Sequence, residues 1–112
     1  MRLLVGSVAG TRSVFAVDGE KAVDLTAAVP EIGSDLASMI GDARLLQKAR
    51  AAAKAGDTVE VSEIVPALPV TAPPTIICLG LNYTDHIKEG GYDIPDYPAL
   101  LMLRRRSVMA AG

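Results

Sequence analysis

The sequence predicts an α+β fold: a small amino-terminal antiparallel sheet with short helices, followed by a second part built as strand, short helix and strand. Three observations carry this. Apolar and polar residues alternate in three short runs, RLLVGSV, RSVFAV and KAVDL, the period-two pattern of half-buried strands. An alanine-rich stretch between Asp42 and Gly56 repeats its apolar positions at helical spacing. The segment VPALPVTAPP then places four prolines in ten residues, and proline fixes φ and removes a donor, which makes a stiff extended connector. The boundaries that follow are an amino-terminal domain over 1–66, a linker over 67–74 and a second domain over 75–112.

Taken in order, the first three runs form a meander. Asp18-Gly19 separates the second from the third, and an Asp-Gly flanked by alternating apolar residues signals a hairpin. The segment DGEK allows a loop longer than two residues, and Val14, Ala16, Val23 and Leu25 share the buried face. Pro30 stops the sheet. Ser34 or Asp35 caps a short helix that places Leu36, Met39 and Ile40 on one side. Asp42 opens the next helix, with Leu45, Leu46, Ala49, Ala52 and Ala53 as its apolar stripe, Arg44, Lys48 and Lys54 in water, and Gly56 at C′. TVEVSEI alternates as a half-exposed strand. Beyond the connector, TIICLG and ALLML are continuous apolar runs of the kind buried on both faces. LNYTDHIKEGG turns between them into a short helix ended by Gly90-Gly91.

Composition excludes several classes. A net charge of −2 over 112 residues argues against a nucleic-acid binder, and Arg104-Arg105-Arg106 is the one basic cluster. A single cysteine, Cys78, excludes an internal disulfide, and with one histidine it cannot build a soft-ligand zinc site. Cys78 lies in an apolar run and reads as a buried, inert thiol. No run approaches the ~20 apolar residues of a membrane span, and Leu3-Leu4-Val5 is too short for a signal-peptide core. The expected compartment is the cytoplasm.

Chemistry concentrates in GLNYTDHIKE, which holds the only histidine. His86 and Glu89 are three apart on the expected helix and therefore share a face. A carboxylate beside an imidazole fixes its tautomer and raises its basicity, which suits a base working near neutral pH. A solvated surface pair has the same spacing, and on spacing alone it is the commoner arrangement. Asp85 points elsewhere and reads as a helix cap. Tyr83 is expected to pack beneath the helix, and Gly90-Gly91 is either a hinge or a C-cap.

The wider string TIICLGLNYTDHIKEGGYDIPDYPALLML…SVMAAG closely resembles the fumarylacetoacetate hydrolase family. Its smaller bacterial members carry a strand, then G-x-N-Y-x-D-H-x-x-E, then a proline-containing loop and a strand ending near a serine. The likeness extends more loosely to the amino-terminal part, through the hairpin with VDG, the VDLT segment, the Ala-rich helix and the Pro-rich connector. The resemblance implies that 75–112 holds the first strands and lid helix of a mixed, β-rich catalytic domain. It implies a cytoplasmic, homodimeric hydrolase of aromatic catabolism that uses Mg2+ or Mn2+ to cleave a carbon–carbon bond in a 2-oxo acid of the acylpyruvate type. His86 and Glu89 would be the water-activating dyad, and Arg104 and Ser107 would bind substrate. In the family a basic residue stands at the position of Leu103, so Arg104 is displaced by one, which in a strand means the opposite face unless a bulge intervenes. The family's metal ligands lie downstream of the position of Gly112, so no metal ligand is assigned and this chain alone is expected to bind no metal. Two alternatives stand beside hydrolysis: a shortened, non-catalytic relative acting as a structural or binding module, and a family member catalysing isomerisation or 2-oxo acid decarboxylation.

Overall fold

A computed structural model describes residues 1–80, 83–94 and 96–104, and of His86 it describes the backbone alone. The structure is α+β with antiparallel sheets. It comprises two compact units, one over Met1–Thr71 and one beginning at Ala72.

The first unit is built on five strands, β1 (Arg2–Val8), β2 (Thr11–Asp18), β3 (Lys21–Asp24), β4 (Thr58–Glu60) and β5 (Val65–Pro66). Their order is β4-β3-β2-β1-β5, antiparallel throughout. Tight turns fix the meander. Val8 pairs with Thr11 across Ala9-Gly10, whose φ angles of 49° and 82° are the two positive values a type I′ turn needs. Asp18 pairs with Lys21, so the second loop is two residues rather than longer, with φ 58° at Gly19.

The expected strand TVEVSEI is broken. Its first three residues form β4 and Val61–Glu63 form a 3-10 turn; β5 begins only after Ile64 and pairs at the opposite edge of the sheet from β4. Laid flat, five strands would hold those edges about 19 Å apart. The few residues between Glu60 and Val65, partly at 3-10 rise, reach only about 13 Å. The sheet therefore curls. Its inner face closes on Phe15, Ala22 and Ile64, flanked by Leu4, Val8, Val17, Val59 and Val61. Gly6 permits the closure: a Cβ there would meet Ile64 Cγ2 at 2.4 Å and the Val65 carbonyl oxygen at 2.7 Å.

The outer face carries the core foreseen from the alternation. Val14, Ala16, Val23 and Leu25 are buried with Val5, Ile32, Met39 and Ala49. Leu25 reaches it from α1 (Leu25–Ala28), a single turn capped by Asp24, and not from the end of a strand. Asp35, not Ser34, caps the following 3-10 turn Leu36–Ser38. That turn ends before Ile40, which is 71% exposed instead of lying on the apolar side with buried Met39.

The helix α2 (Ala43–Ala55) begins where Asp42 accepts the N–H groups of Arg44 and Leu45 at 2.9 and 3.1 Å. It buries Leu45 and Ala49, with Leu46, Ala52 and Ala53 half-buried and Arg44, Lys48 and Lys54 exposed. Gly56 ends the helix in an extended conformation, φ −79° and ψ 159°, not the left-handed C′ geometry expected. Glycine is needed there for space, since a Cβ would sit 2.4 Å from Val23 Cγ1.

Residues 67–71, the first part of the expected connector, are hydrogen bonded to this unit. The Ala67 N–H donates to Val5 O at 2.8 Å, and Leu36 N–H donates to Pro69 O at 3.0 Å. Arg12 donates to Ser34 O at 2.8 Å and to Leu68 O at 2.6 Å. Thr71 donates its N–H and its hydroxyl to Asp35 at 2.8 and 2.7 Å.

The second unit contains β6 (Ile76–Gly80), α3 (Thr84–Glu89) and β7 (Ala99–Leu103), with the strands paired antiparallel from Ile76↔Leu103 to Gly80↔Ala99. The expectation that both strands are buried on both faces is corrected. Ile77 and Leu79 are exposed, all five residues of β7 are exposed, and Cys78 is only half-buried. A two-stranded ribbon cannot bury both of its own faces; that takes further layers. Among the described residues no helix is long and apolar enough to cross a membrane.

Candidate functional site

The helix α3 carries both expected proton-transfer residues. It is short, and its carboxyl end is fixed by a Schellman motif: Tyr92 N–H donates to Ile87 O and Gly91 N–H donates to Lys88 O, both at 3.1 Å. Gly91 sits at C′ with φ 68°, a conformation that costs a residue with a Cβ about 1–2 kcal/mol. Of the two roles open to Gly90-Gly91, the C-cap is the one present. Asp85 is in the first turn, where the helix dipole favours an acid, and not at the cap position before Thr84. Tyr83 is 74% exposed, which overturns its expected packing under the helix.

Among the described side chains of α3, Ile87 is buried, while Lys88 and Glu89 are exposed. The backbone places His86 and Glu89 one turn apart, so their Cβ atoms share a helical face. Glu89 is open to solvent, and the imidazole of His86 lies outside the description.

Arg104 follows β7 directly and is exposed. The ladder runs unbroken to Ile76↔Leu103, so no bulge within β7 re-aims the residue that follows. The chain leaves β6 towards α3 at the Gly80–Ala99 end of the ribbon and reaches Arg104 at the Ile76–Leu103 end. Those ends are about 13 Å apart at ordinary strand rise. Ser107 lies outside the described residues.

Among the described residues no group of three or more His, Cys, Asp or Glu side chains could hold a metal ion. The donors among the described residues therefore do not fit a divalent cation. Two carboxylates of the first unit, Glu31 and Asp35, hold structural contacts. Glu31 pairs with Lys48 and, at 3.8 Å, with Arg44; the Lys48 hydrogen bond and charge hold its carboxyl below the usual range. Asp35 is likewise held low, first by the Ala37 N–H and then by the Thr71 N–H and hydroxyl.

No protein-family model matches the chain. It is 31% identical over 85 residues to the human mitochondrial oxaloacetate tautomerase FAHD2A, covering 74% of this chain and 27% of that protein. It is 30% identical over 83 residues to fumarylacetoacetate hydrolase domain-containing protein 2 of Pongo abelii, covering 72% of this chain and 26% of that one. The chain is related to the fumarylacetoacetate hydrolase family. A shorter match, 43% identical over 49 residues, joins it to the uncharacterized protein MJ1656 of Methanocaldococcus jannaschii, covering 44% of this chain and 18% of that protein. The chain thus spans about a quarter or less of the length of these fumarylacetoacetate hydrolase-family and archaeal relatives.

Proposed function

We propose that this chain contributes to a fumarylacetoacetate hydrolase-family enzyme acting on a 2-oxo acid, with His86 and Glu89 as the proton-moving pair. The observation that carries this is their one-turn spacing on a capped helix, in a chain 31% identical to an oxaloacetate tautomerase over 85 residues. A hydrogen on the carbon next to a 2-oxo group is acidic, because its removal leaves an enolate. A base that takes this proton, followed by protonation at oxygen, interconverts keto and enol forms. Glu89, one turn on, would hold the imidazole in the tautomer whose free nitrogen accepts.

Keto–enol interconversion is the leading activity, since that is what the human relative's name describes. Hydrolysis of an acylpyruvate uses the same pair with water as the proton donor: the hydroxide so formed adds to the distal carbonyl, the adjacent carbon–carbon bond breaks to release a carboxylic acid and the enolate of pyruvate, and the proton returns to the enolate carbon. Residues 75–112 are then the opening strands and lid helix of a catalytic domain whose Mg2+ or Mn2+ is held by other residues. Arg104 and Ser107 belong to this proposal as substrate contacts, as do homodimeric assembly and a cytoplasmic location. Decarboxylation of the 2-oxo acid would begin at the same position. A second reading, a non-catalytic structural or binding module, is favoured by a first unit that carries its own two-faced core.

The test is the loss of enol absorbance from oxaloacetate, and the loss of an acylpyruvate, with Mg2+ or Mn2+ present or omitted. In a longer protein that contains this chain together with the residues that hold the metal, catalysis over buffer is expected, with His86→Ala lowering the rate about 10²–10⁴-fold and Glu89→Gln shifting the pH profile. An unchanged rate in His86→Ala refutes the pair. No rate above buffer on either substrate from that longer protein leaves the module.

A further inference from the structure

A cleft of ≈ 610 Å³ opens in the first unit at the end of the sheet where β1 starts and β2 stops. Its lining includes Arg2 from β1, Asp18 from β2, and Arg50 and Lys54 from α2. Arg50 and Lys54 are four apart, so they stand one above the other on a single helical face. Ala16 and Ala53 supply apolar wall. Three basic residues and one acid thus belong to the lining, a surplus of two positive charges. Among the described residues the ion pairs are those of Glu31 with Arg44 and Lys48; Arg2, Arg50 and Lys54 take no part in them. The volume falls in the range of sites for small organic ligands, above what a bare inorganic anion fills.

We infer that this cleft binds a small organic dianion, a phosphate monoester or a dicarboxylate. The charged group sits among Arg2, Arg50 and Lys54, and the body of the ligand lies against Ala16 and Ala53. Guanidinium groups suit either anion, because their planar fork matches both carboxylate and phosphate oxygens. The cleft belongs wholly to the first unit and does not depend on His86 or Glu89.

The experiment is a nuclear magnetic resonance titration of the full 15N-labelled chain at low ionic strength with adenosine monophosphate, succinate and inorganic phosphate. Saturable amide shifts centred on Ala16–Asp18 and Arg50–Lys54 are expected, with adenosine monophosphate or succinate binding more tightly than inorganic phosphate. The first two ligands separate the phosphate source from the carboxylate source. The double variant Arg50→Gln/Lys54→Gln should weaken binding roughly tenfold or more, and Arg2→Gln should weaken it independently. Arg44→Gln removes a charge from the same helix outside the cleft and should leave it unchanged. Absence of saturable shifts with all three ligands overturns the inference. So do shifts spread over other basic residues, or equal effects of the cleft and Arg44 variants.

Discussion

Replacing Gly6 with alanine tests the closure of the first sheet. The new Cβ would stand 2.4 Å from Ile64 Cγ2 and 2.7 Å from the Val65 carbonyl oxygen. The side chain could rotate; the carbonyl belongs to β5, whose register is Gly6↔Pro66 and Ser7↔Val65. Two responses are available. The strands can hold and absorb an overpacked contact at about 1–3 kcal/mol. Alternatively β5 can peel away and expose Ile64, now 5% exposed, at about 1.5–3 kcal/mol for one aliphatic side chain. The cheaper route wins, so the expected loss is about 2 kcal/mol, or roughly 8–16 °C in Tm for a unit of this size. Thermal melts by far-ultraviolet circular dichroism measure it, with Gly10→Ala as the comparison. At Gly10 φ is +82° with nothing within 4 Å, so that change costs backbone strain alone, about 1–2 kcal/mol. Hydrogen exchange at the Ala67 amide, bonded to Val5 O, should speed up in Gly6→Ala and not in Gly10→Ala. Unchanged protection there, with a Tm within a degree or two of wild type, would refute the tight approach of β5.

Asp42→Ala should destabilise by about 1 kcal/mol, because both N–H bonds that start α2 are lost; urea unfolding reads this directly. Asp35 has a folded pKa below its ordinary value, so its contribution is complete above the ordinary aspartate value and is lost as pH falls through the lowered one. Asp35→Asn should therefore flatten the acid side of the stability profile, seen in melts across that window, whereas a profile parallel to wild type would exclude Thr71 as a native partner. Gly91→Ala forces a Cβ into φ 68° and should cost about 1–2 kcal/mol of local stability, visible as faster amide exchange at Tyr92.

The meander was legible because its side chains alternate and its turns are tight, so Val14, Ala16 and Val23 could be placed in a core without coordinates. The inner core was not. Phe15 and Ala22 fall on the face that alternation assigns to water, and only curling of the sheet makes that face an interior. TVEVSEI shows the same limit, since its period of two continues through a 3-10 turn and only its first three residues form a strand. Gly56 was placed at the right residue for the wrong reason: its role is close packing against Val23, which local sequence cannot display. At the candidate site, spacing gave the helix and its Gly91 cap. Spacing could not give the exposure of Tyr83. The basic cleft is not legible in the sequence because Arg2 lies far along the chain from Arg50 and Lys54, and only the fold brings them together.

The seam between β1 and β5 joins Gly6 to Pro66, partners 60 positions apart, whereas the β1–β2 and β2–β3 hairpins need only their own turns. Short-range pairings form early and cheaply, and a long loop must close before the seam rewards it. During synthesis the two hairpins can assemble while the closing strand is still inside the ribosome, and they wait with Phe15 uncovered until it emerges. A defect at the seam then acts mainly on how fast the finished unit opens, and little on how fast it first forms.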